Sequence, residues 1–163
     1  IHHITDLWTI HNYARPEQLG VIDTPPGTVW AFDQHAPWQK PYRGQPYMID
    51  EFGGLKWIPP DRRPHADNTW GYGADIPDLE TFYRILSDEV DVILSAKRIS
   101  GYCYTQLTDV EQEQNGVYNY DRTTKFDMKR IRSIFTRKRP SRKKAASGKK
   151  ATSQKKTASR KRK

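Results

Sequence analysis

The sequence predicts an α/β fold with parallel strands, and three observations carry that expectation. Stretches rich in β-branched and aromatic residues at 4–13, 47–52 and 100–108 read as strands. One long apolar stripe at three- and four-residue spacing reads as a helix over 77–97. Long segments containing Pro and Gly separate them, so the order is strand, loop, strand, loop, helix, strand, loop, helix. Such an order joins parallel strands through crossover connections.

In the first strand, ITDLWTIHNY, period-two alternation places Leu7, Thr9, His11 and Tyr13 on one face and Trp8, Ile10 and Asn12 on the other. Ala14 to Pro46 reads as a loop, because Pro16, Pro25, Pro26, Pro37, Pro41 and Pro46 punctuate it; a short strand at Thr28–Phe32 interrupts it. In Tyr47–Phe52, alternation groups Tyr47, Ile49 and Glu51 on one face and points Asp50 outward. Gly53–Gly73 is a second long loop, carrying Trp57, Trp70 and Tyr72. The 77–97 helix has Leu79, Phe82, Tyr83, Leu86, Val90, Ile93 and Leu94 as its apolar stripe, with Asp75 as cap and Pro77 in its first turn. Asp78 and Glu80 suit the positive end of its dipole, and Lys97 and Arg98 the other. A third strand over 100–108 (SGYCYTQLT) and a closing helix over 126–136 bearing Ile131, Ile134 and Phe135 complete the pattern. A full (β/α)8 TIM barrel needs about 250 residues. The expectation is therefore the C-terminal portion of a TIM barrel over 1–136, in a chain whose first residue, Ile1, reads as mid-protein text.

Charge divides the chain into two objects. Residues 1–136 hold 14 Lys and Arg against 19 Asp and Glu, a formal −5, whereas 137–163 hold 14 Lys and Arg and no acid, +14. The first part also holds all 19 aromatic residues, which suits a single domain with a core. A lone cysteine, Cys103, excludes an intrachain disulfide and reads as a small buried apolar residue in GYCYTQL. No apolar run approaches the roughly 18 residues of a membrane span. The five histidines show no metal-ligand spacing, so neither metal nor cofactor is expected.

The functional reading turns on QPYMIDEFGGLKW. A carboxylate at the C-terminal tip of a short apolar strand has little structural reason to be there, and strand ends of that kind hold catalytic side chains firmly while the next loop leaves room for substrate. Taken alone, Glu51 could equally be a solvated charge before a Gly-Gly turn. His11 and Tyr13 share a strand face and could serve as polar partners or as packing. Trp57, Trp70 and Tyr72 offer flat apolar faces to a sugar, or anchor the loop. In DVEQEQNG, the acids Asp109, Glu111 and Glu113 read as a solvated or capping loop.

Four segments, TDLWTIHNYARP, YMIDEFGG, NTWGYG and GYCYTQLTDVEQEQNGVYNYDR, resemble in order the last three strands of the catalytic barrel of glycoside hydrolase family 2, which includes β-galactosidases, β-glucuronidases and β-mannosidases. The resemblance implies that Glu51 is the nucleophile of a retaining β-glycosidase and that Tyr13 orients it. On the same reading His11, Trp57, Trp70 and Thr105 contact the substrate, Thr105 standing where many members carry a tryptophan. The family's acid/base glutamate lies in an Asn-Glu pair, and no such dipeptide occurs in this chain. The resemblance places that pair upstream, so residues 1–163 alone are expected to be inactive. Alternatives are a sugar-binding relative that does not cleave, and a nucleic-acid-binding protein acting through its tail. A dedicated nucleic-acid module would spread cations over its folded face, which a −5 body does not.

The tail, RKRPSRKKAASGKKATSQKKTASRKRK, has no aromatic and no large aliphatic residue. It cannot bury a core, reads as disordered, and suits non-specific contact with polyanions such as nucleic acid or anionic surface polymers. In the full-length protein, deleting 137–163 should abolish retention on heparin while leaving hydrolysis of small aryl glycosides unchanged. Equal loss of both would mean that the tail serves the active site.

Overall fold

The structure, a computed structural model, describes residues 4–19, 40–63 and 68–140. Three strands, β1 (Trp8–Asn12), β2 (Tyr47–Gly53) and β3 (Ile99–Thr105), form a parallel sheet in the order β1-β2-β3. A short helix α1 (Pro16–Leu19) follows β1, α2 (Leu79–Ser95) lies between β2 and β3 in the chain, and α3 (Met128–Phe135) closes the described part. The barrel expectation is corrected here. What the described residues form is an open three-stranded sheet with β1 and β3 at its edges. Three strands are too few to curl round and pair their own edges, which takes about eight. The Thr28–Phe32 strand and the tail from 141 onward lie outside the described residues.

The sheet departs from strict alternation at one point. Ile10 pairs with Ile49, but His11 pairs with Glu51, so Asp50 is an extra residue in β2. Such a bulge re-aims the side chains after it. Ile49 and Phe52 are both fully buried, three residues apart, and Glu51 leaves the face it was expected to share with Tyr47 and Ile49. Asp50 correspondingly does not point away from the site. Its Oδ2 lies 3.8 Å from His11 Nε2.

The core joins one face of β2 to α2, with Tyr47, Ile49, Phe52, Phe82, Leu86 and Val90 among its buried members. Each such side chain is worth about 1.5–3 kcal/mol in area removed from water. The α2 stripe follows the expected spacing, with one insertion that spacing does not announce: Glu89 is fully buried within it. The cap is Asp78 rather than Asp75. Asp78 accepts from Thr81 N–H at 2.7 Å and from its hydroxyl at 2.9 Å, and these bonds hold its carboxyl below the usual range. An N-cap side chain must meet the amide two or three residues on. With the helix starting at Leu79, only Asp78 does so, and Asp75 instead pairs with Lys56 at 2.6 Å.

Helix α3 docks on α2 through Arg130, whose two terminal nitrogens meet the Glu80 carboxylate at 2.5 and 2.6 Å while its guanidinium sits 3.9 Å over the Tyr83 ring. The first residues of the basic stretch continue that contact. Arg137 pairs with Asp91 at 2.8 Å and donates to Ser87 Oγ at 2.8 Å, and Arg139 donates to the Ile99 carbonyl. Cys103 is exposed, correcting the buried reading: the pleat turns Tyr102 and Tyr104 onto Phe52 and leaves Cys103 on the other side of an edge strand. Asp109 is likewise buried, not solvated. It pairs with Lys125 at 2.6 Å, and the same ammonium also reaches the Gln114 and Gly116 carbonyls at 3.3 Å, so each of its three protons has an acceptor. No helix among the described residues is long and apolar enough to cross a membrane.

Burial pushes the Glu89 carboxyl up to about 7, against the opposing pull of Arg15. The folded protein therefore holds this proton where the unfolded chain has released it. The contribution to stability is fully present below the ordinary glutamate value near 4.5 and is lost as pH rises through about 7. Relative to Glu89→Gln, the wild type should lose on the order of 3 kcal/mol between pH 4.5 and pH 8, read from urea midpoints at the two pH values. Parallel pH dependence in both proteins would show that Glu89 does not titrate in this window.

Candidate functional site

Glu51 stands near the C-terminal end of β2, and the ends of both neighbouring strands bring side chains to it. Tyr13, one residue past β1, donates its phenol hydrogen to Glu51 Oε2. From the end of β3, Thr105 places Oγ1 at 3.4 Å from the same phenol oxygen, close enough to donate to it. Burial first, and the carboxylate acceptor second, push the Tyr13 phenol well above its ordinary range, so it keeps its proton and remains a donor. His11 places Nδ1 at 2.9 Å from the same Oε2. With the proton on Nδ1, two donors converge on one carboxylate oxygen. Among the described residues, Glu51 Oε1 takes no hydrogen bond and is left for other chemistry.

Aromatic rings extend the site outward. Tyr72 lies flat on Tyr13, with centroids 3.5 Å apart and planes 2° from parallel. Trp70 meets Tyr72 edge-on at 5.8 Å and remains 46% exposed, so it offers an open face. Loop 112–114 holds it there: Trp70 N–H donates to the Gln112 carbonyl at 2.8 Å and Gln114 N–H to the Trp70 carbonyl at 2.9 Å. Trp57 is placed differently. It is 8% exposed, belongs to the core, and carries the Arg63 guanidinium 5.2 Å from its ring centre. The structure thus gathers Glu51, Tyr13, His11 and Thr105, continues through Tyr72 to Trp70, and turns Trp57 inward.

The Gly53-Gly54 turn makes this gathering possible. Both residues have positive φ, +81° and +60°, which favours glycine. A Cβ on Gly54 would stand 2.5 Å from the Tyr72 ring and 3.0 Å from the Tyr13 ring. Its backbone ties two further segments to β2: Gly54 N–H donates to the Thr105 carbonyl at 3.0 Å, and Tyr72 N–H donates to the Gly54 carbonyl at 2.8 Å.

Two residues near the site, Arg15 and Glu89, escape the sequence reading. Arg15 reaches Glu89 at 3.4 Å and the Tyr72 carbonyl at 3.1 Å. A usable signal was present: a carboxylate at 89, three residues after Leu86 and four before Ile93, stands inside an apolar stripe and calls for a cationic partner. His2, His3, His35 and His65 lie outside the described residues, among which no three His, Cys, Asp or Glu side chains are grouped to hold a metal ion. The sequence matches no protein-family profile and no curated protein.

Gly54→Ala should cost roughly 2–4 kcal/mol, combining a left-handed backbone with a methyl forced against two rings. Gly44→Ala is the control. Gly44 has φ +89°, but beyond its chain neighbours no atom of the described residues lies within 4 Å of where the methyl would stand, so this change should cost only the backbone part. Urea unfolding of both variants measures the difference. Equal costs would mean that the rings simply move aside.

Proposed function

We propose that the protein works as a retaining β-glycosidase, or as part of one, resembling glycoside hydrolase family 2, with Glu51 as nucleophile. The observation that carries this reading is the convergence of Tyr13 and His11 on Oε2, which holds the rotamer while Oε1 takes no hydrogen bond from the described residues. In such a reaction Oε1 attacks the anomeric carbon as the glycosidic C–O bond breaks, and a second carboxyl protonates the departing oxygen. That same carboxyl then takes a proton from water, which attacks the anomeric carbon and releases Glu51. Retaining geometry needs the two carboxyls about 5–5.5 Å apart. The acid/base belongs, on this proposal, to the Asn-Glu pair outside residues 1–163. Tyr13 orients the nucleophile, His11 and Thr105 border the sugar, and Trp70 supports its apolar face. Trp57 has a smaller part than the sequence suggests, since its ring is committed to the core.

The basic stretch supports an additional property, non-specific polyanion binding. Eleven of its fourteen cations lie in 141–163, beyond the two arginines that dock on the body. Counterion release would give such binding a steep salt dependence and no base preference.

The decisive experiment is covalent trapping of the full-length protein with 2,4-dinitrophenyl 2-deoxy-2-fluoro-β-glycosides of galactose, glucuronic acid and mannose, followed by peptide mapping. The label is expected on Glu51, and Glu51→Gln should take none while losing at least roughly a thousandfold in kcat. A label on another residue sinks the assignment. Sugar binding without a label from any of the three would favour a non-cleaving sugar-binding relative.

A further inference from the structure

We propose that Arg15, seated on the buried carboxylate of Glu89, is a positioning residue for the nucleophile: it holds Tyr72 flat on Tyr13 so that the phenol stays aimed at Glu51. The inference rests on reading Glu51 as the nucleophile, but its structural half stands on contacts alone.

The guanidinium is used in two directions. Nη1 faces Glu89 Oε1 at 3.4 Å, while Nη2 lies 3.1 Å from the Tyr72 carbonyl and 3.4 Å from that of Ala74. Gly73, between those carbonyls, has φ +78°, and a Cβ there would come within 2.2 Å of Nη2. The loop is thus shaped around the guanidinium. A cation needed only to neutralise Glu89 would require neither the two carbonyls nor the glycine between them. Tyr72 is consequently held at both ends of its backbone, its N–H on Gly54 and its C=O under Arg15. With both ends fixed, the direction in which the side chain leaves the backbone is set, and the ring lies 3.5 Å from Tyr13 and parallel to it. Tyr13 in turn donates to Glu51.

Glu89 anchors the brace from a buried place on α2. It projects from the buried stripe of α2, with no exposed surface, and Oε2 has no partner among the described residues. An arginine suits the position where a lysine would not. A planar fork can hold a carboxylate and two carbonyls at once, whereas an ammonium on a flexible stem acts as a point charge. The chain from α2 to the nucleophile's carboxylate runs Glu89, Arg15, Tyr72, Tyr13, Glu51, each link a contact already described.

The test reads the stack itself. In the full-length protein with ring-labelled tyrosine, the resonances of Tyr13 and Tyr72, assigned through Tyr13→Phe and Tyr72→Phe, should carry the mutual ring-current shifts that a flat stack produces. Arg15→Met should abolish those shifts, and Arg15→Lys should restore them only in part. Glu89→Gln, which keeps an acceptor for Arg15, should retain them. If Arg15→Met does not fold because Glu89 is left unpaired, Arg15→Met/Glu89→Met removes both buried charges together and serves in its place. On the 2,4-dinitrophenyl glycoside whose fluorinated analogue labels Glu51, kcat should fall about ten- to a hundredfold while KM moves less than about threefold. Unchanged ring shifts in a folded Arg15→Met protein, or in the double variant, overturn the proposal whatever the activity. Lost shifts support the brace even where Glu51 takes no label, an outcome that instead sinks the glycosidase reading.

Discussion

Gly54 uses both of its backbone groups to join segments that are distant in the chain. Its amide closes on the end of β3 at Thr105, and its carbonyl receives Tyr72 from the loop that follows β2. Its missing side chain is the floor on which Tyr13 and Tyr72 stack. A left-handed backbone is what turns these groups outward together, and only glycine adopts it without cost. The neighbouring Gly53 meets the same requirement against Tyr104, whose ring would lie 2.4 Å from a Cβ. Strand register sets Glu51 near the C-terminal end of the central strand, and this turn brings further side chains around it.

Two ion pairs, one fully buried and one with a half-buried arginine, hold the loops around that turn, and they differ in how well they are satisfied. Lys125 has an acceptor for each proton, and Asp109 also takes the Gly116 amide at 2.8 Å, so the pair closes the 109–125 loop without an orphaned charge. Burial still pulls the Lys125 ammonium down, and Asp109 offsets that pull. Removing one partner of such a pair typically costs about 3–5 kcal/mol, because the survivor is left charged in a medium that solvates it poorly. The Arg15–Glu89 pair is looser at 3.4 Å and leaves one carboxylate oxygen without a partner among the described residues. That incompleteness is why burial raises Glu89 so far. One pair fastens a loop; the other connects a helix to the aromatic stack.

The sharp change in charge at residue 137 does not mark where contact with the body ends. Arg137 and Arg139 fasten onto α2 and β3, using Asp91, Ser87 and the Ile99 carbonyl. An acidic body with exposed carboxylates attracts the first cations of a basic segment. Beyond them, the composition offers no large apolar side chain that could hold the segment to a surface.

Local chemistry made much of this legible in the sequence. Tyr47–Phe52 as a strand, α2 as one amphipathic helix, α3 near 126–136 and parallel connections all follow from periodicity and propensity, which act over a few residues. The Gly-Gly pair after Glu51 likewise announced a turn. What depended on distant neighbours was not legible. The bulge at Asp50 shifts the buried face from Ile49 to Phe52, and strict alternation cannot foresee it because it arises from pairing with β1. Cys103 and Asp109 exchanged the environments that their types suggest, one on an edge strand and the other beside a lysine sixteen residues away. A portion of a barrel could not be read from element order, since barrel closure is a property of the whole set of strands and not of any one strand. The sequence by itself determined the three strands and the two longer helices, though not the short α1 that it read as loop, and which carboxylate stands near a strand end before a glycine turn. Only the tertiary structure decided that Tyr13 and His11 meet at that carboxylate with Thr105 and Tyr72 packed against Tyr13, because their proximity comes from parallel register and from two backbone hydrogen bonds of Gly54, neither of which has a local signal.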